Sequence, residues 1–223
     1  MYCNCKVDMS QKFKLVVFDL DGTLINSGVH ILNLLNEMRN RLNMTMLSWD
    51  DALPLLSLGG EKIIAGALDL SALHIQSYLD EFRQLYKSRP TPQDCVFPNV
   101  KELLDTLKSN CVKISICTNK SRELTDKVLS ELSLDHYFSI ICADGDLPTK
   151  KPNIANLLYC LNAFDIGPAN TLMVGDSKVD QDLALACGVP FAWFTKGNND
   201  GVDRLQTIFT FEDFSELRSW LSL

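Results

Sequence analysis

From residue 100 onward the chain repeats one unit, an apolar stretch at helical spacing followed by a short β-rich run. No other feature restricts its fold as much. Helical spacing is carried by Val100, Leu103, Leu104 and Leu107, and again by Leu124, Val128 and Leu132. Between them, residues 112–117 place Val112, Ile114 and Ile116 on one side of a strand. The series continues with a strand over residues 139–142, a helix near 153–162, a strand over 171–174, a helix ending before Gly188 and a strand over 191–194. Phe214, Leu217 and Leu221 then outline a last helix. Such alternation predicts a parallel sheet with helices on both faces and ligands at the carboxyl ends of its strands.

The first strand stands apart from this series. Leu15, Val16, Val17 and Phe18 form a buried run within residues 14–20, closed by the turn signal Asp21-Gly22, so Asp19 and Asp21 fall at its carboxyl end. From residue 28 to 89 the pattern is helical, with Ile31, Leu35, Met38 and Leu42 on one face, then Ile75, Tyr78, Phe82 and Leu85 on another. Pro90, Pro92 and Pro98 mark the return to the alternating region. The expected fold is therefore α/β, a doubly wound, Rossmann-like parallel-sheet core. A small helical segment is inserted just after the first strand, where it could cover the strand ends.

A chain of 223 residues, 46% hydrophobic and 22% charged, can bury one large core or a core with a smaller companion. Its formal charge of -7 disfavours nucleic acid as a partner. Cys117, Cys142, Cys160 and Cys187 stand within apolar stretches and read as small buried thiols in a reducing compartment. Cys3 and Cys5 lack a second pair at metal-ligand spacing and are assigned nothing. No apolar run approaches the roughly 20 residues that span a bilayer, and the first twelve residues are unlike a secretory signal. A soluble, cytoplasmic protein without a membrane partner is expected.

Four polar clusters fall at or beyond the carboxyl ends of expected elements: Asp19 to Thr23, Thr118-Asn119, Lys150-Lys151-Pro152, and Gly175-Asp176-Ser177 with Asp180. Each alone has an ordinary reading as a turn, a helix cap or a solvated surface. In a parallel sheet they converge. Like charges 4 Å apart repel by about 4 kcal/mol at an effective dielectric of 20, so gathered carboxylates call for a cation, and hard oxygens with few histidines favour Mg²⁺. Lys151 adds a fixed positive charge, and Thr118 and Asn119 can donate to phosphate oxygens. Phosphoryl transfer needs in-line positioning and charge neutralisation, which makes Asp19 the candidate nucleophile. Asp21, two residues on along an extended chain, is the candidate acid/base. Asp176 would complete the metal site and Asp180 support it from its edge. His30, His74 and His136 lie in no recognisable nucleophile motif.

At these residues the sequence resembles the haloacid dehalogenase superfamily, and within it the phosphoglycolate phosphatase-like group with a helical cap. Residues 17–24 (Val-Phe-Asp-Leu-Asp-Gly-Thr-Leu) are similar to the first motif of that family, and Cys117-Thr118-Asn119-Lys120 to the second. Lys151-Pro152 resembles the third, and Val174-Gly175-Asp176-Ser177 through Asp180 to Gly188 the fourth. The resemblance implies a core of residues 12–27 and 94–223, a cap of 28–93 and an extension of 1–11. It also implies Mg²⁺ on Asp19, the backbone carbonyl of Asp21 and Asp176, and a specificity loop at residues 57–62 in which Gly59, Gly60 and Lys62 meet the substrate. Asn26, Asn99, Asn110 and the segment Ala143-Asp144-Gly145-Asp146 depart from the family pattern without removing a reacting group.

The implied activity is hydrolysis of a small phosphorylated metabolite, of phosphoglycolate or sugar-phosphate type, through an aspartyl-phosphate on Asp19, by a monomer or homodimer. A sugar phosphomutase on the same core is the alternative enzyme. A non-enzymatic phosphoaspartate switch is the alternative outside catalysis, and Asp21 argues against it, since an acid/base beside the phosphoaspartate would destroy a durable signal.

Overall fold

The computed structural model describes residues 13–56, 60–69, 74–197 and 201–222. Cys3, Cys5, the 1–11 extension and Gly59 lie outside the described residues. The strands are β1 (Leu15–Phe18), β2 (Lys113–Ser121), β3 (Ile140–Asp144), β4 (Thr171–Gly175), β5 (Phe191–Phe194) and β6 (Phe209–Phe211). They form one parallel sheet in the order β3-β2-β1-β4-β5-β6. Strand order reverses about β1, which places the switch point, where ligands of such sheets bind, at its carboxyl end.

Both faces of the sheet are covered, and alternation along β1 shows why. Val16 and Phe18 enter one apolar cluster with α5 (Val100–Ser109), α6 (Arg122–Glu131) and α9 (Phe214–Trp220). Leu15 and Val17 enter another, with α7 (Ile154–Phe164) and α8 (Lys178–Ala186). Buried on both faces, β1 reads as an unbroken apolar run rather than an alternating one. Cys117, Cys142 and Cys160 are free, buried thiols of the second cluster, whereas Cys187 is only half-buried.

β6 had no counterpart in the sequence reading. Its three residues carry no turn signal, and the strand exists through its neighbours. Ala192, Trp193 and Phe194 register against Phe209, Thr210 and Phe211, and Phe209 stacks on Trp220 with centroids 4.7 Å apart. Aromatic packing decides what local pattern cannot.

Between β1 and β2 the chain forms α1 (Gly28–Arg41), α2 (Trp49–Leu56), α3 (Gly60–Leu68) and α4 (Ile75–Ser88). Ile31, Leu35 and Met38 are buried as expected. Leu42 is not; it caps α1 and remains 38% exposed, so the apolar stripe ends one turn earlier. Buried Arg39 ties the helices together, donating from Nε to Thr45 O at 2.6 Å and from Nη1 to Ala67 O. The entering and leaving chains run side by side: Asn26 N donates to Cys95 O at 2.7 Å, Phe97 N to Leu24 O at 3.1 Å, and Ile25 bridges Val96. Among the described residues no helix is long and apolar enough to cross a membrane.

Candidate active site

A cleft opens at the carboxyl ends of β1, β2 and β4, beneath the inserted helices. The sheet side supplies Asp19, Asp21, Thr118, Asn119, Lys120, Lys151 and Asp176, and the insert side supplies Ile31, Leu56, Gly60, Ile63, Leu79, Phe82, Arg83 and Tyr86. Adjacent parallel strands bring Asp19, Thr118 and Asp176 together although they lie far apart in sequence, because Phe18 registers with both Ile116 and Val174. Gly60 lines the cleft, whereas Lys62, beside it in sequence, is exposed and does not line it among the described residues.

Asp19 and Asp21 share the cleft for a reason other than strand alternation. β1 ends at Phe18, after Asp19 N donates to Val174 O at 3.0 Å. The chain then turns, with Leu20 O accepting from Thr23, Leu24 and Ile25 and with Gly22 at φ 85°. The tight turn, not an extended period of two, presents Asp21 beside Asp19.

Carboxylate oxygens of Asp19, Asp176 and Asp180, all three residues buried, lie within 4.8 Å of one another. Lys151 Nζ sits between two of them, 2.7 Å from Asp19 Oδ1 and 2.7 Å from Asp180 Oδ1. Burial pulls the Lys151 ammonium down, but the Asp180 and Asp19 carboxylates outweigh it and hold it well above its ordinary range. Burial pushes the Asp19 carboxyl up to about 7, opposed by Lys151 and reinforced by Asp180. Three carboxylates facing one ammonium leave an excess of negative charge in a dry place, and a divalent cation is the economical remedy.

The donor set fits a hard cation: Asp19 and Asp176 line the cleft with oxygen ligands, while fully buried Asp180 does not. Asp180 is engaged elsewhere. Its second oxygen accepts from Ser177 Oγ at 2.7 Å in a capping box at the start of α8, while its first contacts Lys151 at the border of the acidic cluster. Asp176 is oriented by Thr23 Oγ1, which donates to Oδ1 at 2.9 Å, and its backbone carbonyl accepts from Trp193 Nε1 at 3.2 Å.

Asn119 lines the cleft, as Thr118 does, and makes a further contact there. Its amide brackets the Lys151 backbone, accepting from Lys151 N at 2.8 Å and donating to Lys151 O at 3.2 Å, which fixes the lysine. Thr118 is buried, with its hydroxyl accepting from Lys120 N at 3.2 Å.

Two residues that the sequence reading assigned no role enter here. Lys120 Nζ donates to both oxygens of Asp21 at 3.1 and 3.0 Å and to Tyr86 Oη at 3.0 Å, and it lies 4.4 Å from the centroid of that ring. Burial opposes its charge, yet Asp21 and Tyr86 together keep the ammonium above its usual range. Tyr86 belongs to α4, so an inserted helix reaches Lys120, the ion-pair partner of Asp21. Lys120 had a signal in its position after Thr118-Asn119. Tyr86 had none beyond the apolar face of a helix.

Residues 16–194 match the family model for haloacid dehalogenase-like hydrolases. The chain is 31% identical over 220 residues to the phosphoglycolate phosphatase of Haemophilus influenzae strain 86-028NP, covering 94% of this chain and 98% of that protein. It is 30% identical over 217 residues to the phosphoglycolate phosphatase of Pasteurella multocida strain Pm70, covering 92% and 97%. Among solved structures it is similar to a predicted phosphoglycolate phosphatase from Haemophilus somnus 129PT. There the TM-score is 0.83 at 26% identity, with 93% of this chain and 97% of the other covered.

Proposed function

The chain belongs to the haloacid dehalogenase-like hydrolases, and from that premise we propose that it is a magnesium-dependent phosphatase acting on a small phosphomonoester through an aspartyl-phosphate on Asp19. The observation that carries this reading is the buried cluster of Asp19, Asp176 and Asp180 around Lys151, with Asp21 at its mouth. The phosphatase relatives support the same reading, and the substrate they are named for makes phosphoglycolate the first ester to try.

Asp19 attacks phosphorus in line, its oxygen forming the new P–O bond as the bond to the leaving alkoxide breaks. Asp21 supplies the proton that the alkoxide takes up. It then removes a proton from the water that attacks the phosphoaspartate, returning Asp19 and releasing inorganic phosphate. Lys151, fixed by Asp180 and by Asn119, holds positive charge against the phosphoryl oxygens throughout. Asp19, the Asp21 carbonyl and Asp176 would hold magnesium, which would supply further neutralisation of that charge. Lys120 keeps the Asp21 carboxylate in place, and its bond to Tyr86 links that position to the inserted helices. Residues 28–93 act as a cap that excludes water, and the paired chains at residues 24–26 and 95–97 are its neck.

Phosphate release from 2-phosphoglycolate and from p-nitrophenyl phosphate tests the reading. Turnover is expected to stop with EDTA and return with Mg²⁺. Acid-quenched wild-type protein should carry phosphate on the chain, and Asp19→Asn should carry none and turn over neither ester. Full activity in Asp19→Asn, or turnover indifferent to EDTA, contradicts the proposal.

A further inference from the structure

The cleft has two unlike ends. Its sheet side is charged, whereas its insert side is built from Ile31, Leu56, Ile63, Leu79 and Phe82, with one basic side chain among the described residues, Arg83. The other two cations of the cleft are already engaged, Lys151 by Asp19 and Asp180 and Lys120 by Asp21 and Tyr86. Arg83 is half-buried, and its ion pair is a 3.6 Å contact with Asp80, whose side chain is 58% exposed. A contact of that length to an exposed partner holds a guanidinium weakly. Arg83 also precedes Tyr86 by three residues on α4, so it lies one helical turn from the side chain that touches Lys120. Residues so spaced lie on the same helix face, so Arg83 and Tyr86 both look onto the cleft.

We propose that Arg83 is the specificity determinant of this site and binds a carboxylate at the end of the substrate remote from the phosphoryl group. This rests on the phosphatase reading and narrows its substrate class to phosphomonoesters of a hydroxy acid. A guanidinium presents two parallel N–H donors that match a carboxylate, and one positive charge balances one negative charge. A second phosphate brings up to two charges to a wall that offers one. Sugar hydroxyls would lie against Ile31, Leu56, Ile63, Leu79 and Phe82, which give them no hydrogen bonds, and that is unfavourable when water is excluded. The apolar wall suits a methylene linker and the arginine suits what lies beyond it.

The test compares kcat/KM for 2-phosphoglycolate and for ethyl phosphate, which keeps the linker length and replaces the carboxylate by a methyl group. Wild-type enzyme is expected to prefer phosphoglycolate by about 10- to 100-fold, the worth of a charged hydrogen-bonded pair. Arg83→Met should collapse that ratio towards one, and Arg83→Lys should restore part of it. A wild-type ratio near one, or a fall of both esters by the same factor in Arg83→Met, overturns the assignment and leaves the phosphatase reading standing. A wild-type preference for ethylene glycol bisphosphate over phosphoglycolate, lost in Arg83→Met, overturns the carboxylate in favour of a second phosphate. Absence of phosphate release from every phosphomonoester in the presence of Mg²⁺ overturns the phosphatase reading and this inference with it.

Discussion

In Gly175→Ala the added methyl carbon would stand 2.5 Å from Asp180 Cβ and 2.6 Å from both its Cγ and Oδ2. Carbon atoms settle about 3.5–4.0 Å apart, so one side must give way by about 1 Å. Neither side is free to do so. Gly175 is held in β4, in register with Trp193, and Asp180 is fixed by the α8 capping box and by Lys151 Nζ at 2.7 Å. A misplacement of about 1 Å at such a site costs about 100-fold in rate, equivalent to about 2.7 kcal/mol of transition-state stabilisation. Overpacking adds a stability loss of about 1–3 kcal/mol, or roughly 2–12 °C in Tm for a chain of this size. Steady-state phosphate release with 2-phosphoglycolate, run below the Tm of the variant beside a thermal melt, measures both. Wild-type kcat/KM in a folded Gly175→Ala protein would refute the claim that Asp180 must stay where it is for Lys151 to function.

Lys120→Met frees Asp21 from a bidentate charged contact and should lower kcat about 10- to 100-fold with a smaller change in KM. Tyr86→Phe loses one hydrogen bond to the same lysine and should fall less, and wild-type kcat in Lys120→Met would remove the lysine from its positioning role. Magnesium at about 100 times its Kd should stabilise the protein by about 2.7 kcal/mol, read as a rise in Tm; Asp176→Asn should abolish most of that rise, and a wild-type melt indifferent to Mg²⁺ counts against the ion. Glu131 sits at about 2: burial raises its carboxyl, but hydrogen bonds from Lys127 and Thr91 outweigh that. Its folded value lies below the unfolded one, so its contribution is present above pH 4.5 and is lost as pH falls towards 2. The pair is partly exposed, so the loss is small, and Glu131→Gln should shrink the difference between melts at pH 7 and pH 3; an unchanged difference would exclude it.

The strands that carry chemistry were legible because each is a buried apolar run ending in a polar cluster. β1, β2 and β4 need no tertiary information to be recognised, and the order of their acids already implied a convergent, cation-hungry site. Other features lacked such a signal. β6 is three residues held by Trp220 and Phe194, and Asp21 reaches Asp19 through a turn that an alternating pattern disguises. Lys62 looked well placed by sequence order and is exposed, while Arg83, which looked like one more polar position on a helix, lines the cleft.

Periodicity and residue chemistry along the chain are enough to give the layers, the place of the inserted helices and the kinds of groups that gather at the strand ends. Which charge meets which is settled by folding alone: Lys151 between Asp19 and Asp180, Lys120 on Asp21 and Tyr86, and Asn119 on the Lys151 backbone. Pairing depends on distances of about 3 Å between residues remote in sequence, and electrostatic energy varies too steeply with distance and burial for residue order to specify it.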